Sequence, residues 1–258
     1  MSLNVVLTGK SGLIGGSVYQ HLLKVGHQVV TLGKRESDHY LDLSRFVTPE
    51  LCFQPDAFVH CAGVTDEEIN ENQAEAISRG TNALVELVDW AKTTGVSKFV
   101  YISTAHIYGD LNQRNDENTA TLPRSIYGIL HLFAEQYIRS QFVDHLILRP
   151  CAVYGPVKES FKRWELIPYS FPRDLALHNK ISIRSHGKQC RNFVSTKTIA
   201  VIIRENLLKR NSAIINPLGY HSISIRDFAE LCVNSLQSHV SSALDWEVAS
   251  DDVYENKF

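Results

Sequence analysis

Three glycines spaced three residues apart, Gly9, Gly12 and Gly15, directly follow the apolar run Val5-Val6-Leu7 and open an amphipathic stretch from Leu13 to Val25 that stops at Gly26. A strand, a glycine turn and a helix in that order constrain the fold more than anything else in the chain. Gly9 allows the tight turn out of the strand, Gly12 lets backbone approach a pyrophosphate, and Gly15 lets the helix lie close to the sheet. The helix start then offers free N–H groups and a partial positive charge to phosphates. The segment Gly9-Lys10-Ser11-Gly12-Leu13-Ile14-Gly15 is therefore a candidate dinucleotide grip.

The rest of the chain supports a core large enough to carry such a grip. It has 258 residues, 44% hydrophobic and 21% charged, which suits one α/β domain with or without a small appendage. Short β-rich runs (Val5 to Leu7, Gln28 to Leu32, Ala57 to His60, Lys98 to Ser103, His145 to Leu148) alternate with helical stretches: Leu13 to Val25, about Glu67 to Thr93, and Ile126 to Phe142. That alternation predicts a Rossmann-type, doubly wound parallel sheet with helices on both faces. After about Cys151 the rhythm changes, and Pro150, Pro156, Pro168 and Pro172 punctuate a stretch read as loop-rich. We expect a dinucleotide-binding domain over 1–155 and a small substrate-binding lobe over 156–258 that also helps complete the core sheet.

A formal charge of -2 argues against a polyanion-binding surface, so no nucleic-acid partner is expected. The five cysteines are scattered with no C-x-x-C pair, which predicts neither a disulfide framework nor a metal site and fits a reducing cytoplasm. No run of 18 apolar residues and no leader-like segment is evident, so no membrane association is expected. Partners should be small molecules.

Past the second strand comes Gly33-Lys34-Arg35-Glu36-Ser37-Asp38, near the distance from the glycines at which a ribose-reading residue is expected. A carboxylate at the strand end would bind the adenosine 2′-hydroxyl. Lys34 and Arg35, with Lys10 of the glycine turn, would instead attract a 2′-phosphate, so NADP(H) is favoured over NAD(H). Glu36 is the rival, since a shift of two residues restores an NAD-type acid, and a solvated charge cluster is the third reading.

Further residues occur in a consistent order: Asp42-Leu43, Cys61-Ala62-Gly63, Asn82, Tyr101-Ile102-Ser103-Thr104-Ala105-His106-Ile107-Tyr108-Gly109, Pro123, Tyr127-Gly128, Glu135, Leu148-Arg149-Pro150, Val153-Tyr154-Gly155-Pro156 and Arg191-Asn192-Phe193-Val194. Together with the opening glycines they resemble the extended short-chain dehydrogenase/reductase family of nucleotide-sugar epimerases, dehydratases and reductases. The resemblance implies that Asp42 and Leu43 flank the adenine, that Ala62 and Gly63 line the diphosphate, and that Cys61, Asn82 and Ser103 belong to the same cofactor site. Arg191 would contact a substrate nucleotide phosphate, although the acidic residue that usually follows is replaced by Lys197 and Thr198. Thr104 would hydrogen-bond the substrate oxygen and Tyr127 would give or take the proton as hydride moves. Ala105 and His106 occupy places where sugar dehydratases carry an acid pair, which argues against water elimination and leaves His106 as a substrate contact. Relatives typically form homodimers, so a homodimer is expected.

The family pattern expects lysine four residues after the tyrosine, on the same helix face. This chain has His131 there. The sequence Tyr154-Gly-Pro-Val-Lys158 copies the spacing, but Pro156 forbids a helix interior. Lysine would hold the nicotinamide ribose and lower the tyrosine pKa, whereas a histidine is mostly neutral near pH 7. At an ordinary pKa near 10, only about one tyrosine in a thousand is phenolate at pH 7. Oxidation, which needs phenolate as base, suffers most; reduction uses the phenol as it is. The sequence thus favours NADP(H)-dependent reduction of a 4-keto nucleotide sugar. An NAD-dependent 4-epimerase and a weakly active or inactive NADP(H)-binding regulatory protein are the alternatives.

Overall fold

The computed structural model describes residues 2–43, 49–159 and 161–248. Seven parallel strands form the central sheet: β1 (Asn4–Thr8), β2 (Gln28–Gly33), β3 (His39–Tyr40), β4 (Ala57–His60), β5 (Lys98–Ile102), β6 (His145–Leu148) and, returning late in the chain, a strand at Ala213–Ile215. Their spatial order is that late strand, then β6, β5, β4, β1, β2 and β3. The order reverses direction beside β1 and β4, which opens a crevice at the carboxyl ends of these two strands, where doubly wound folds bind ligands.

Alternation along β1 shows why the strands are apolar throughout. Val5 and Leu7 enter one core layer with Val18 and Leu22 of α1 (Leu13–Lys24), while Val6 faces the opposite layer with Phe58 and Phe99. A strand buried on both faces has no polar side to show. The second layer is covered by α4 (Leu84–Thr93) and α5 (Ile126–Gln141) through Leu87, Val88, Ala134 and Ile138.

The segment read as helical from about 67 to 93 is broken into pieces. α2 (Asp66–Glu71) ends at Asn72, which leaves helical geometry (φ -151°, ψ 89°) and caps α3 (Gln73–Ser78) by accepting from the Glu75 N–H. A π turn at Arg79–Ala83 then leads into α4.

Beyond Tyr154 the prolines do not prevent helix formation. α6 (Ile167–His178) has Pro168 in its first turn, where no N–H is needed, and passes through Pro172. Phe171 and Leu175 of α6 pack with Ile181 and Ile183 of β8 (Lys180–Ile183) and with Ala229 of α8 (Ile225–Gln237) in a separate apolar cluster, and this burial outweighs the lost hydrogen bond. Between these elements α7 (Thr196–Leu207) lies against α1 and fills the first core layer with Ile199 and Ile203. The remaining strands make two small sheets. β7 (Ala152–Tyr154), β9 (Cys190–Ser195) and β11 (Ser222–Ser224) form one; β12 (Asp245–Val248) pairs with β8 in the other. The late core strand is thus β10.

Candidate active site

A cleft of about 970 Å³ opens over the carboxyl ends of β1, β4 and β5. Its floor is the glycine turn. Gly9 has φ +79°, and a Cβ on it would come within 2.6 Å of the Ala62 nitrogen, so β1 and β4 exit side by side only because a side chain is missing there. A Cβ on Gly15 would collide with the Gly9 carbonyl. Gly12 starts α1 with no side-chain cap and no acidic residue in the first turn. Its first N–H groups are therefore available to an anion at the cleft floor.

Gly9, Ser11, Gly12, Leu13, Ile14, Cys61, Ala62, Gly63, Ser103, Thr104, His106, Tyr127, His131 and Arg191 all line this cleft. Other residues singled out in the sequence lie elsewhere. Lys10 places its ammonium 4.4 Å from the Tyr19 ring centroid. Lys34 and Arg35 are exposed past β2, with Lys34 in an ion pair to Asp42 at 2.8 Å. Leu43 lines a small chamber of about 30 Å³ behind Tyr127. Asn82 is exposed on the π turn and lines neither cavity, and Ala105 is buried beneath the cleft. Of the aromatics past residue 160, Phe171 is a core residue, whereas Tyr169 bonds Gly155 through its hydroxyl.

The reacting end is assembled from β5 and α5. Ser125 caps α5 by accepting from the Gly128 N–H at 3.1 Å, which sets Tyr127 in the first turn and His131 one turn later on the same face. Gly128 has a specific purpose: a Cβ there would sit 2.8 Å from the His106 carbonyl, so glycine lets α5 close onto the turn after β5. Tyr127 then stands between two imidazoles, with ring centroids 4.5 Å from His131 and 5.6 Å from His106, both edge to face.

Burial pushes the Tyr127 phenol above its ordinary range, and the Arg163 charge and a Thr104 hydrogen bond pull back only in part. Burial likewise takes His131 down to about 3, with His60 and His106 adding to the effect. The phenol is therefore protonated and the imidazole neutral near pH 7. The pair can donate hydrogen bonds and one proton. It provides no fixed cation.

Below the cleft, Glu135 is wholly buried and receives Arg149 through Nε and Nη2, the latter at 2.7 Å, together with the Ser103 hydroxyl. This network ties α5 to the ends of β5 and β6 and keeps the Ser103-Thr104 turn in place.

Several cleft residues escape the sequence reading. Asp66 and Arg163 face the Tyr127 and His106 side, and Lys158 pairs with Glu36 at 3.1 Å across the turn after β2. Asp66 had a visible signal, because Thr65-x-x-Glu68 forms a capping box that begins a helix at Asp66. Arg163 and Lys158 sit in irregular backbone and carried no periodic signal.

The profile of the NAD dependent epimerase/dehydratase family matches residues 5–214, most of the chain. The chain belongs to this NAD-dependent epimerase/dehydratase family. Among relatives, it is 24% identical over 216 residues to the methionine adenosyltransferase 2 subunit beta of Rattus norvegicus, covering 81% of this chain and 63% of that protein. The chain thus spans less than two thirds of the length of that relative. Among solved structures, MoeE5 in complex with UDP-glucose and NAD superposes with a TM-score of 0.81 at 19% identity, covering 95% of this chain and 85% of that one. RMD from Pseudomonas aeruginosa complexed with NADPH superposes with a TM-score of 0.80 at 21% identity, covering 96% and 86%. At such identities the superpositions establish the Rossmann-like fold that the family shares. No helix among the described residues is long and apolar enough to cross a membrane.

Proposed function

We propose that this chain reduces a 4-keto nucleotide sugar with NADPH, Tyr127 donating the proton, Thr104 orienting the keto oxygen and His131 standing in for the usual ribose-holding lysine. One observation carries the reading: Tyr127 is a partly buried phenol, held protonated beside a neutral imidazole, so the acid needed for reduction is in place and the base needed for oxidation is scarce.

Bound nicotinamide would supply the hydride. The uncapped first turn of α1 and the side-chain-free surfaces of Gly9 and Gly12 fit its diphosphate, Gly15 lets α1 pack against the Gly9 backbone, and Ala62 and Gly63 border the same channel. Lys34 and Arg35 past β2 support a 2′-phosphate and hence NADPH over NADH. The residues after 156 serve as the substrate lobe in this reading, with Arg163 and Arg191 on the cleft wall suited to a nucleotide diphosphate. MoeE5 with UDP-glucose and NAD, and RMD with NADPH, lend support as relatives in fold. Exposed Ile129 and Phe133 on the outer side of α5 support a homodimer through that helix.

NADPH consumption with a panel of 4-keto-6-deoxy nucleotide sugars tests the reading. Turnover that disappears in Tyr127→Phe is expected; no turnover across the panel, in protein that binds NADPH, would overturn it.

A second reading has its own support, since the similar proteins named as beta subunits of methionine adenosyltransferase 2 are described as subunits. In that reading the chain binds NADP(H) and regulates a partner, and the absence of lysine at 131 reflects lost catalysis. Tight NADPH binding with no turnover in wild type, and turnover gained in His131→Lys, would favour it.

A further inference from the structure

The polar atoms behind His131 form a short chain. Thr8 Oγ1 lies 2.6 Å from His60 Nδ1, the His60 ring stacks on Tyr101 at 5.8 Å and 17°, and the Tyr101 hydroxyl lies 2.7 Å from His131 Nδ1. All four residues are buried. The chain runs from the strand that carries the glycine turn to the helix that carries Tyr127.

The Tyr101–His131 contact has two possible directions, and hydrogen-bond accounting separates them. A phenol O–H is both donor and acceptor, whereas a neutral imidazole has one N–H and one bare nitrogen. If His131 Nδ1–H donated to Tyr101, the phenol hydrogen would need another acceptor. None is found among the described residues, and the small chamber beside Tyr101 is walled largely by Leu43, Val64, Leu84, Leu130 and Ala134. A buried O–H without a partner is costly. If Tyr101 donates instead, its O–H is satisfied and the proton of His131 resides on Nε2. That nitrogen is not sealed away: the ring lines the main cleft, and His131 Cε1 lies 3.9 Å from where a Cβ on Gly63 would be.

We infer that Tyr101 is a positioning residue which donates to His131 Nδ1 and locks His131 as the Nε2–H tautomer, presenting one fixed neutral donor to the cofactor cleft. The use of that donor on a ribose hydroxyl rests on the reading given under Proposed function; the lock itself does not. A donor of this kind holds an acceptor oxygen in place and adds no charge. It therefore separates two tasks that a lysine would perform together: it can anchor the cofactor, and it cannot acidify Tyr127.

Nitrogen-15 NMR of histidine-labelled protein, with His131 assigned by comparison with His131→Gln, reads the tautomer directly. Wild type should show a bare Nδ1 and a protonated Nε2, and Tyr101→Phe should give a mixture of tautomers while retaining native circular dichroism. In NADPH titrations the same variant should bind about three- to tenfold more weakly, the loss of one oriented hydrogen bond. A protonated Nδ1 in wild type would overturn the lock, as would an unchanged tautomer in Tyr101→Phe. The expected tautomers with no NADPH binding in any form would support the lock and remove the cofactor reading instead.

Discussion

The Tyr127 ring packs edge to face with the His131 ring at 4.5 Å, so the phenol meets a neutral imidazole at the place where the sequence resemblance leads one to expect a lysine. The chemistry proposed for the chain turns on that substitution.

Restoring the cation should move the pH dependence of oxidation. In His131→Lys, a lysine beside Tyr127 would lower the phenol pKa, and each unit gives about tenfold more phenolate. The pH at which oxidation levels off should therefore fall by about one unit or more, while the ratio of kcat/KM in the two directions at any one pH, fixed by the equilibrium, stays the same. Profiles of kcat/KM against pH check this, and an unshifted oxidation profile would contradict it.

Acid should destabilise the fold through its buried histidines. Burial lowers His60 to about 4 and His131 to about 3, against about 6.5 for an unfolded histidine. The unfolded chain then binds more protons than the native one at any pH between these values. Stability is thus full above about pH 6.5 and is lost as pH falls from there toward 4 and 3. By pH 5 the loss should be on the order of 2 kcal/mol per histidine. Urea midpoints at pH 7.5 and 5 measure it, and His60→Phe should flatten the dependence.

Removing one half of the buried ion pair should be far worse than removing both. Arg149→Met strands the Glu135 carboxylate, wholly buried, and should destabilise by about 3–5 kcal/mol. The double variant Glu135→Leu/Arg149→Met should recover a large part of that loss. Equilibrium denaturation of the three proteins decides it; a double variant as unstable as the sum of the two singles would count against it.

Cofactor choice should reside in the turn after β2. Arg35→Glu should weaken NADPH at least about tenfold and leave NADH within about threefold, because only NADPH carries the 2′-phosphate that a cation there would bind. Fluorescence titration with both nucleotides measures the difference. Loss of both affinities together would point to misfolding or to a different adenosine site.

Much of this was legible in the residues because it depends on local pattern. Ala57–His60 and His145–Leu148 are apolar runs bounded by turn residues, and they are strands with those limits. The glycine spacing announced the turn because close backbone approach forbids a Cβ, as at Gly9 and Gly15. Other elements depend on distant partners. α6 passes through Pro172 because Phe171 and Leu175 have a core to enter, and proline content alone read that stretch as loop. Asn72 divides the helix after β4 by capping α3, and Asn72-x-x-Glu75 carried a start signal of the same kind as Thr65-x-x-Glu68 within a run read as one helix. The Tyr101–His131 bond joins residues 30 apart and exists only once α5 packs over β5.

The most direct test of a proton-donating Tyr127 is the pH dependence of both directions in one wild-type preparation. Reduction should hold nearly level from about pH 6 to pH 9, and oxidation should be close to zero at pH 7 and climb about tenfold per pH unit as phenolate forms. Reduction that falls about tenfold per pH unit over that range while oxidation stays level, as an already ionised Tyr127 would give, would contradict it.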